Sequence, residues 1–236
     1  GPKGVQDLFY EANKAYEAGD FEKAAEGYEK IIAQGYENGH VYFNLGNAYF
    51  RLGEIGRAIF AYRKAEAWIP RDADLRSNLK YAREMARDEL PPPEGGRWLR
   101  RIFFWYDRST TRELLCAAVM FNLLFWGLMI VRFFHRGEGL RWALGLSLLA
   151  LLLVLASLGA RMIAGRSVEG VVIAEVATVR SGNGLNYTPR FELHAGAEFV
   201  VEGVEGDWVR IRLSNGGRGW LPRSAVALLD APLPDR

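Results

Sequence analysis

Apolar residues follow three different rhythms along this chain of 236 residues. Up to about residue 89 they recur at helical spacing, as in Leu8, Ala12 and Ala15, or Leu75, Leu79, Ala82 and Met85. Two apolar runs without a charge follow, Leu114 to Val131 and Trp142 to Ala160. From Val168 onward, apolar and polar residues alternate in short runs separated by glycine-bearing turns. These rhythms predict a helical array, then a pair of membrane-spanning helices, then a small β domain.

The helical part repeats with a period of 34: Ala12 aligns with Gly46, Gly19 with Gly53, Asp20 with Glu54, Ala24 with Ala58 and Tyr28 with Tyr62. Small residues at these offsets let antiparallel helices approach, and Tyr49 and Tyr62 fill the space beside them. Gly19 and Gly53 stand where a glycine relieves the backbone at a helix end. The second copy (Tyr42, Leu45, Gly46, Tyr49, Gly53, Ala58, Tyr62, Ala65, Pro70) resembles the tetratricopeptide (TPR) consensus, and the first copy matches it less fully. A helix from about Asp74 has the character of a terminal cap, making five helices over residues 1–90. The resemblance implies a concave face where TPR proteins hold peptides. Asn13 and Asn44 stand at its backbone-holding asparagine positions, and Phe9, His40, Phe43, Asn47, Phe50, Asn78 and Tyr81 share the face. Asp74 occupies the position where a carboxylate clamp needs lysine, which argues against capture of a C-terminal carboxylate. The asparagines also fit as plain consensus residues supporting the fold, and both readings stay open.

Pro91-Pro92-Pro93-Glu94-Gly95-Gly96 ends the array, and residues 91–110 read as a linker followed by an interfacial helix. A helical wheel gathers Arg97, Arg100, Arg101 and Arg108 on one face and most of the nearby aromatic residues opposite. Arg97, Trp98, Arg100, Arg101, Trp105 and Arg108 are therefore expected at the membrane interface, the alternative being a longer first membrane helix. Over residues 111–162 each apolar run would span roughly 27–29 Å, the thickness of a bilayer core. Thr110 and Glu113 are spaced as a capping box. Asn122 is expected to hydrogen-bond between the helices, and Ala156 with Ala160 to let them pack closely. Only Arg132 to Arg141 separates the runs, so both outer ends emerge on one side of the membrane.

Six short strands are predicted in residues 167–230: Val171–Ala174, Val176–Arg180, Glu198–Glu202, Trp208–Leu213, Arg218–Leu221 and Val226–Leu229. Asn215-Gly216 signals a tight hairpin. The run Ala177 to Gly182, Gly206-Asp207-Trp208-Val209-Arg210-Ile211 and Gly219-Trp220-Leu221-Pro222 resemble a bacterial SH3-like (SH3b) barrel. Trp208 and Pro222 match the Trp and Pro of the peptide groove in SH3 relatives, while Thr178, Val179 and Ala225 replace its tyrosines. Trp220 is expected in the barrel core, and His194 in a loop, either structural or idle. The fold class is thus a multidomain membrane protein: all-α TPR solenoid, two-helix transmembrane hairpin and all-β SH3-like barrel.

Charge sharpens this division. The overall +2 resolves into −2 over residues 1–90 (13 basic, 15 acidic), +6 over 91–166 (10 basic, 4 acidic) and −2 over 167–236 (7 basic, 9 acidic). Such a balance gives no reason to expect nucleic acid. A lone Cys116, inside an apolar run, rules out a disulfide framework, and three scattered histidines form no metal motif. No HExxH, GxSxG or P-loop pattern occurs. Neither a catalytic centre nor a cofactor is expected.

TPR solenoid, membrane hairpin and SH3b domain in this order resemble the BatE-type proteins of the bacterial aerotolerance (Bat) operon. The resemblance implies a non-enzymatic envelope scaffold for stress tolerance in the bacterial inner membrane. Its implied partners are membrane-anchored von Willebrand factor A-domain proteins and other Bat components, and indirectly a MoxR-type AAA+ ATPase. The lipid bilayer is a further partner, and peptidoglycan is the ligand if the SH3b domain acts as a wall sensor. Export of family members implies periplasmic domains, whereas the arginine count (three in the turn, seven on the domain side) favours a cytoplasm-facing adaptor. The chain opens Gly1-Pro2 without Met, the form left by tag cleavage, so a removed export signal is compatible with it.

Overall fold

A computed structural model describes residues 4–91, 109–164 and 168–234 of the chain. The interfacial helix expected at Arg97–Arg108 lies outside the described residues. The chain divides into two units, one joining residues 1–94 to 167–236 and the other covering 95–166.

In the first unit the sequence period becomes paired helices: α1 (Val5–Glu17), α2 (Phe21–Ala33), α3 (Gly39–Arg51), α4 (Ile55–Glu66) and the capping α5 (Ala73–Met85). Carboxylate and amide side chains start three of them. Asp20 accepts from the Lys23 amide at 3.2 Å, Asn38 from Val41 at 2.9 Å and Asp72 from Leu75 at 2.8 Å. Gly19 and Gly53 follow α1 and α3 with φ of 82° and 79°, so both do the work their spacing predicts. Alanines 24, 25, 58 and 61 are fully buried beside Tyr28, Tyr49 and Tyr62. Gly46 shows why a small residue is needed there: a Cβ would stand 2.5 Å from the Tyr62 ring. On α5, Leu75, Leu79 and Ala82 face inward, but Met85 is exposed, because the helix ends there and leaves it beyond the packed face.

The C-terminal part of this unit is a seven-stranded antiparallel sheet in the order β3-β2-β6-β5-β4-β1-β7. Its strands are β1 (Glu169–Val172), β2 (Val176–Arg180), β3 (Pro189–His194), β4 (Glu198–Glu205), β5 (Trp208–Arg212), β6 (Arg218–Pro222) and β7 (Val226–Leu228). Strand β3 is additional to the six expected: Pro189 and two charged residues mask a weak alternation in which Leu193 is buried. The β5–β6 connection runs from Leu213 to Gly217, longer than a tight two-residue turn, with Gly216 at φ 87°. Inward residues Val179, Phe199, Val209, Ile211, Leu221 and Val226 form the barrel core. Trp220 is not among them. Gly219 and Leu221 point inward, so alternation turns Trp220 to the outer face, half-buried.

The second unit is a helical hairpin of α6 (Thr111–Phe134) and α7 (Glu138–Ala164), joined by His135, Arg136 and Gly137. Thr110 and Glu113 form the expected capping box, at 3.2 and 2.8 Å. On α7 Leu144, Ser147 and Leu151 are buried at spacings of three and four along one stripe, and Ser157 is buried further along the helix. Ser147 and Ser157 each donate to a carbonyl of their own helix, which satisfies the hydroxyl inside an apolar seam. Asn122 and Ala156 are both exposed, off the stripes that meet. Among the described residues Asn122 therefore makes no interhelical hydrogen bond and, of the small pair expected to bring the helices together, only Ala160 is partly buried. Leu123, Trp126, Ile130, Phe133 and Leu146 are among the large apolar side chains left outward. Both helices are long and apolar enough to cross a membrane, and little of either is buried.

Candidate interaction surfaces

On the concave face the asparagines are already bonded to the repeat itself. The Tyr28 hydroxyl donates to Asn13 Oδ1 at 2.6 Å, and Asn44 Nδ2 donates to the same oxygen at 3.3 Å. One period later, the Tyr62 hydroxyl donates to Asn47 Oδ1 at 2.8 Å, and Asn78 Nδ2 does so at 2.9 Å. Asn13 and Asn47, Asn44 and Asn78, and Tyr28 and Tyr62 each stand one full period apart, so the same group of three side chains recurs as a ladder. Each acceptor oxygen carries two internal bonds. Burial pushes the Tyr28 hydroxyl up to about 12, against a smaller opposing effect of Asn44. Burial likewise raises Tyr62 above the ordinary tyrosine range.

Around the ladder stand aromatic pairs: Phe9 with Tyr28, Phe43 with Tyr62 and Phe50 with Tyr81, at ring distances of 6.1, 6.1 and 5.5 Å. A small cavity of about 190 Å³ opens here, lined by Tyr16, Asn47, Phe50, Tyr62, Asn78 and Tyr81, among others. Tyr81 is 55% exposed and His40 is exposed at the start of α3, so these two are the free reach of the face.

Helices and sheet meet through a cluster of charges. Glu198 on β4, 5% exposed in its side chain, is bonded by Arg63 of α4 and by Arg83 of α5, whose Nε lies at 2.6 Å and Nη2 at 3.1 Å. Arg63 also bonds Glu169 on β1 and approaches Glu66 at 3.5 Å. Burial alone would raise the Glu198 pKa, but the two arginines outweigh it and hold the carboxyl below its usual range. Burial works to lower Arg63 in turn, and its three acidic neighbours raise it above the ordinary value. Nearby, Asp88 accepts from the backbone of His194 at 2.6 Å and meets its Nδ1 at 3.0 Å. His194 is therefore structural, as one of its two expected readings has it, but it ends β3 rather than standing in a loop. Gly56 of α4 is the closest approach: a Cβ there would lie 2.3 Å from the Val172 carbonyl oxygen. Val171 and Ala227 complete the helical core from the barrel side.

A second consequence of this joint is a cleft of about 1370 Å³ whose walls come from both parts. Glu26, Lys30 and Ile32 of α2 and Tyr42 of α3 face Trp208 and Pro222 across it. Trp208 and Pro222 are direct cross-strand partners, which is why two residues distant in the chain stand together. The chain's own Ala231–Pro234 forms one edge, held where Arg57 donates to the Pro234 carbonyl at 2.8 Å. The sequence pattern announces neither clasp nor cleft, since both join segments that lie far apart in the chain, on either side of the hairpin. The one signal is Gly56, a glycine inside a helix with no turn to serve. Among the described residues no group of three or more His, Cys, Asp or Glu is placed to hold a metal ion.

Comparison with known proteins agrees with these two parts. Residues 39–72 match the family model of the tetratricopeptide repeat, and residues 175–227 that of the bacterial SH3 domain. A stretch of 53 residues, 22% of this chain, is 38% identical to a protein of Bacillus subtilis (strain 168) described as putative N-acetylmuramoyl-L-alanine amidase YrvJ. The match covers 10% of that relative's own length.

Proposed function

We propose that this protein is a non-enzymatic, membrane-anchored interaction scaffold of a bacterial envelope complex of the Bat/MoxR type. The observation that carries this reading is the joining of two interaction folds, TPR and SH3b, into one body, in a chain that also carries a hairpin fit to span a membrane. A body so built keeps a partner segment at the membrane, and its chemistry needs only complementary surface. Its partners on this reading are membrane-anchored von Willebrand factor A-domain proteins, with the AAA+ ATPase reached through them, and its domains lie on the periplasmic side of the inner membrane. Cys116 stands in apolar α6, which this reading places in the bilayer.

The test is co-purification of the full chain in mild detergent, followed by identification of bound proteins. A von Willebrand factor A-domain protein should be recovered, and Tyr81→Ala combined with His40→Ala should lose it while the thermal unfolding curve stays unchanged. Recovery unaffected by that pair, or no such partner, contradicts the reading. Alkaline phosphatase fused after Arg236 should be active on the periplasmic assignment; a stable but inactive fusion refutes it.

A second reading is favoured by the likeness of the SH3b region to part of a protein described as an amidase: the barrel binds cell wall and the repeats relay that state. Sedimentation of the full chain with purified sacculi, lost in Trp208→Ala, supports it; failure to sediment removes it.

A further inference from the structure

The outer face of the barrel carries a strip of side chains used by neither the helices nor the barrel core. Strand register sets Arg180 and Arg210 on either side of Trp220, and Arg212 opposite Arg218. Alternation buries Val209, Ile211 and Leu221, so their neighbours Arg210, Arg212, Arg218 and Trp220 face outward. Three of these arginines converge on one carboxylate. Glu202 meets the Nε of Arg210, Arg212 and Arg218 at 3.4, 3.2 and 3.3 Å. No other acid pairs with them among the described residues, so the group carries a net +2. Arg190 adds a fourth guanidinium beside it, donating to the Arg218 carbonyl at 3.1 Å.

Like charges held side by side on a sheet repel unless a counter-charge completes them. The missing counter-charge is anionic, and guanidinium forks suit phosphate oxygens. A half-buried Trp220 beside them suits the boundary between headgroup and acyl chain. The arginine end is also open: the cleft shared with the helices borders only the Trp208–Pro222 end of the strip. Finally, α7 closes at Ala164 and β1 opens at Glu169, so a short covalent segment ties this sheet to a helix fit to span a membrane. Such a tether makes an anionic bilayer the polyanion of highest effective concentration.

We infer that Arg210, Arg212 and Arg218, with Trp220, bind anionic phospholipid headgroups. The site goes beyond the scaffold reading and depends only on the anchor. Near an anionic leaflet each arginine strengthens binding about fivefold, so removing three should weaken it roughly a hundredfold.

The experiment places the full chain in lipid nanodiscs containing brominated phosphatidylcholine, with or without anionic phospholipid. The emission difference between the native chain and Trp220→Phe isolates Trp220. Quenching of that signal in anionic discs but not in zwitterionic discs, relieved by high salt, is the expected result. It should vanish in Arg210→Gln/Arg212→Gln/Arg218→Gln and deepen in Glu202→Gln, which adds positive charge without removing an arginine. Absent quenching in anionic discs, or equal quenching in both, overturns the inference. So does a Trp220 response to soluble polyglutamate that anionic lipid fails to produce.

Discussion

Two seams hold the first unit together, and they are built from opposite chemistry. Within the array, helix meets helix at Gly46, under the Tyr62 ring, where neutral tyrosine–asparagine and asparagine–asparagine bonds at 2.6–3.3 Å close the joints. Helix meets barrel at Gly56, under the Val172 carbonyl, where two arginines close on a buried carboxylate. In both a glycine permits the approach and polar groups specify the register. The neutral ladder tolerates loss of a rung, because each hydrogen bond is worth only about 1 kcal/mol net. The ionic clasp tolerates it less, because removing one partner leaves buried charge less fully compensated.

The largest effect is therefore expected at the clasp. Glu198→Ala should cost about 3 kcal/mol of stability in urea unfolding, since it removes the carboxylate that Arg63 and Arg83 share and leaves Arg63 only Glu169 and Glu66. A cost under about 1 kcal/mol would mean that the clasp is no stronger than a surface ion pair. Next comes Gly56→Ala. In an ordinary helix that change stabilises by up to about 1 kcal/mol. Here it forces a Cβ against a backbone carbonyl and should destabilise by about 1–3 kcal/mol. A stabilising result would refute the close approach.

Acid and base should separate the two seams. Glu198 has its pKa depressed in the folded state, so its contribution is present above about 4.5 and lost as pH falls below that value. Tyr28 is raised from 10.0 to about 12, so stability is unaffected below pH 10 and declines as pH rises through this window. Acid should thus loosen helices from barrel, and base should loosen helix from helix within the array, as read by hydrogen exchange in β4 and in α2. The opposite assignment would break the comparison. The smallest effect belongs to one rung: Tyr62→Phe should cost about 1 kcal/mol, leaving Asn47 one bond from Asn78.

The two seams also differ in how far the sequence exposes them. The ladder follows the period of the array, so Gly46, Tyr62 and the asparagines can be located, although their use as structural rungs is only one of two readings open at that level. Their oxygens turn inward to the tyrosines, and that depends on side-chain direction, which periodicity does not carry. The clasp joins residues 63 and 83 to 169 and 198 across the hairpin, and no local pattern encodes such a pairing. Trp220 departs from its expected place for a related reason: an aromatic in a strand reads as core until the register of its neighbours is known. In the hairpin, length and apolarity are legible, but which stripe faces the partner helix is not, so Asn122 and Ala156 fall outside it.

The central claim is that repeats and barrel behave as one body. Native-state hydrogen exchange of the full chain under rising denaturant tests it most directly. Amides of α4 and β4 should share a single opening isotherm in the native chain and part in Glu198→Ala. Separate isotherms in the native chain would contradict the account.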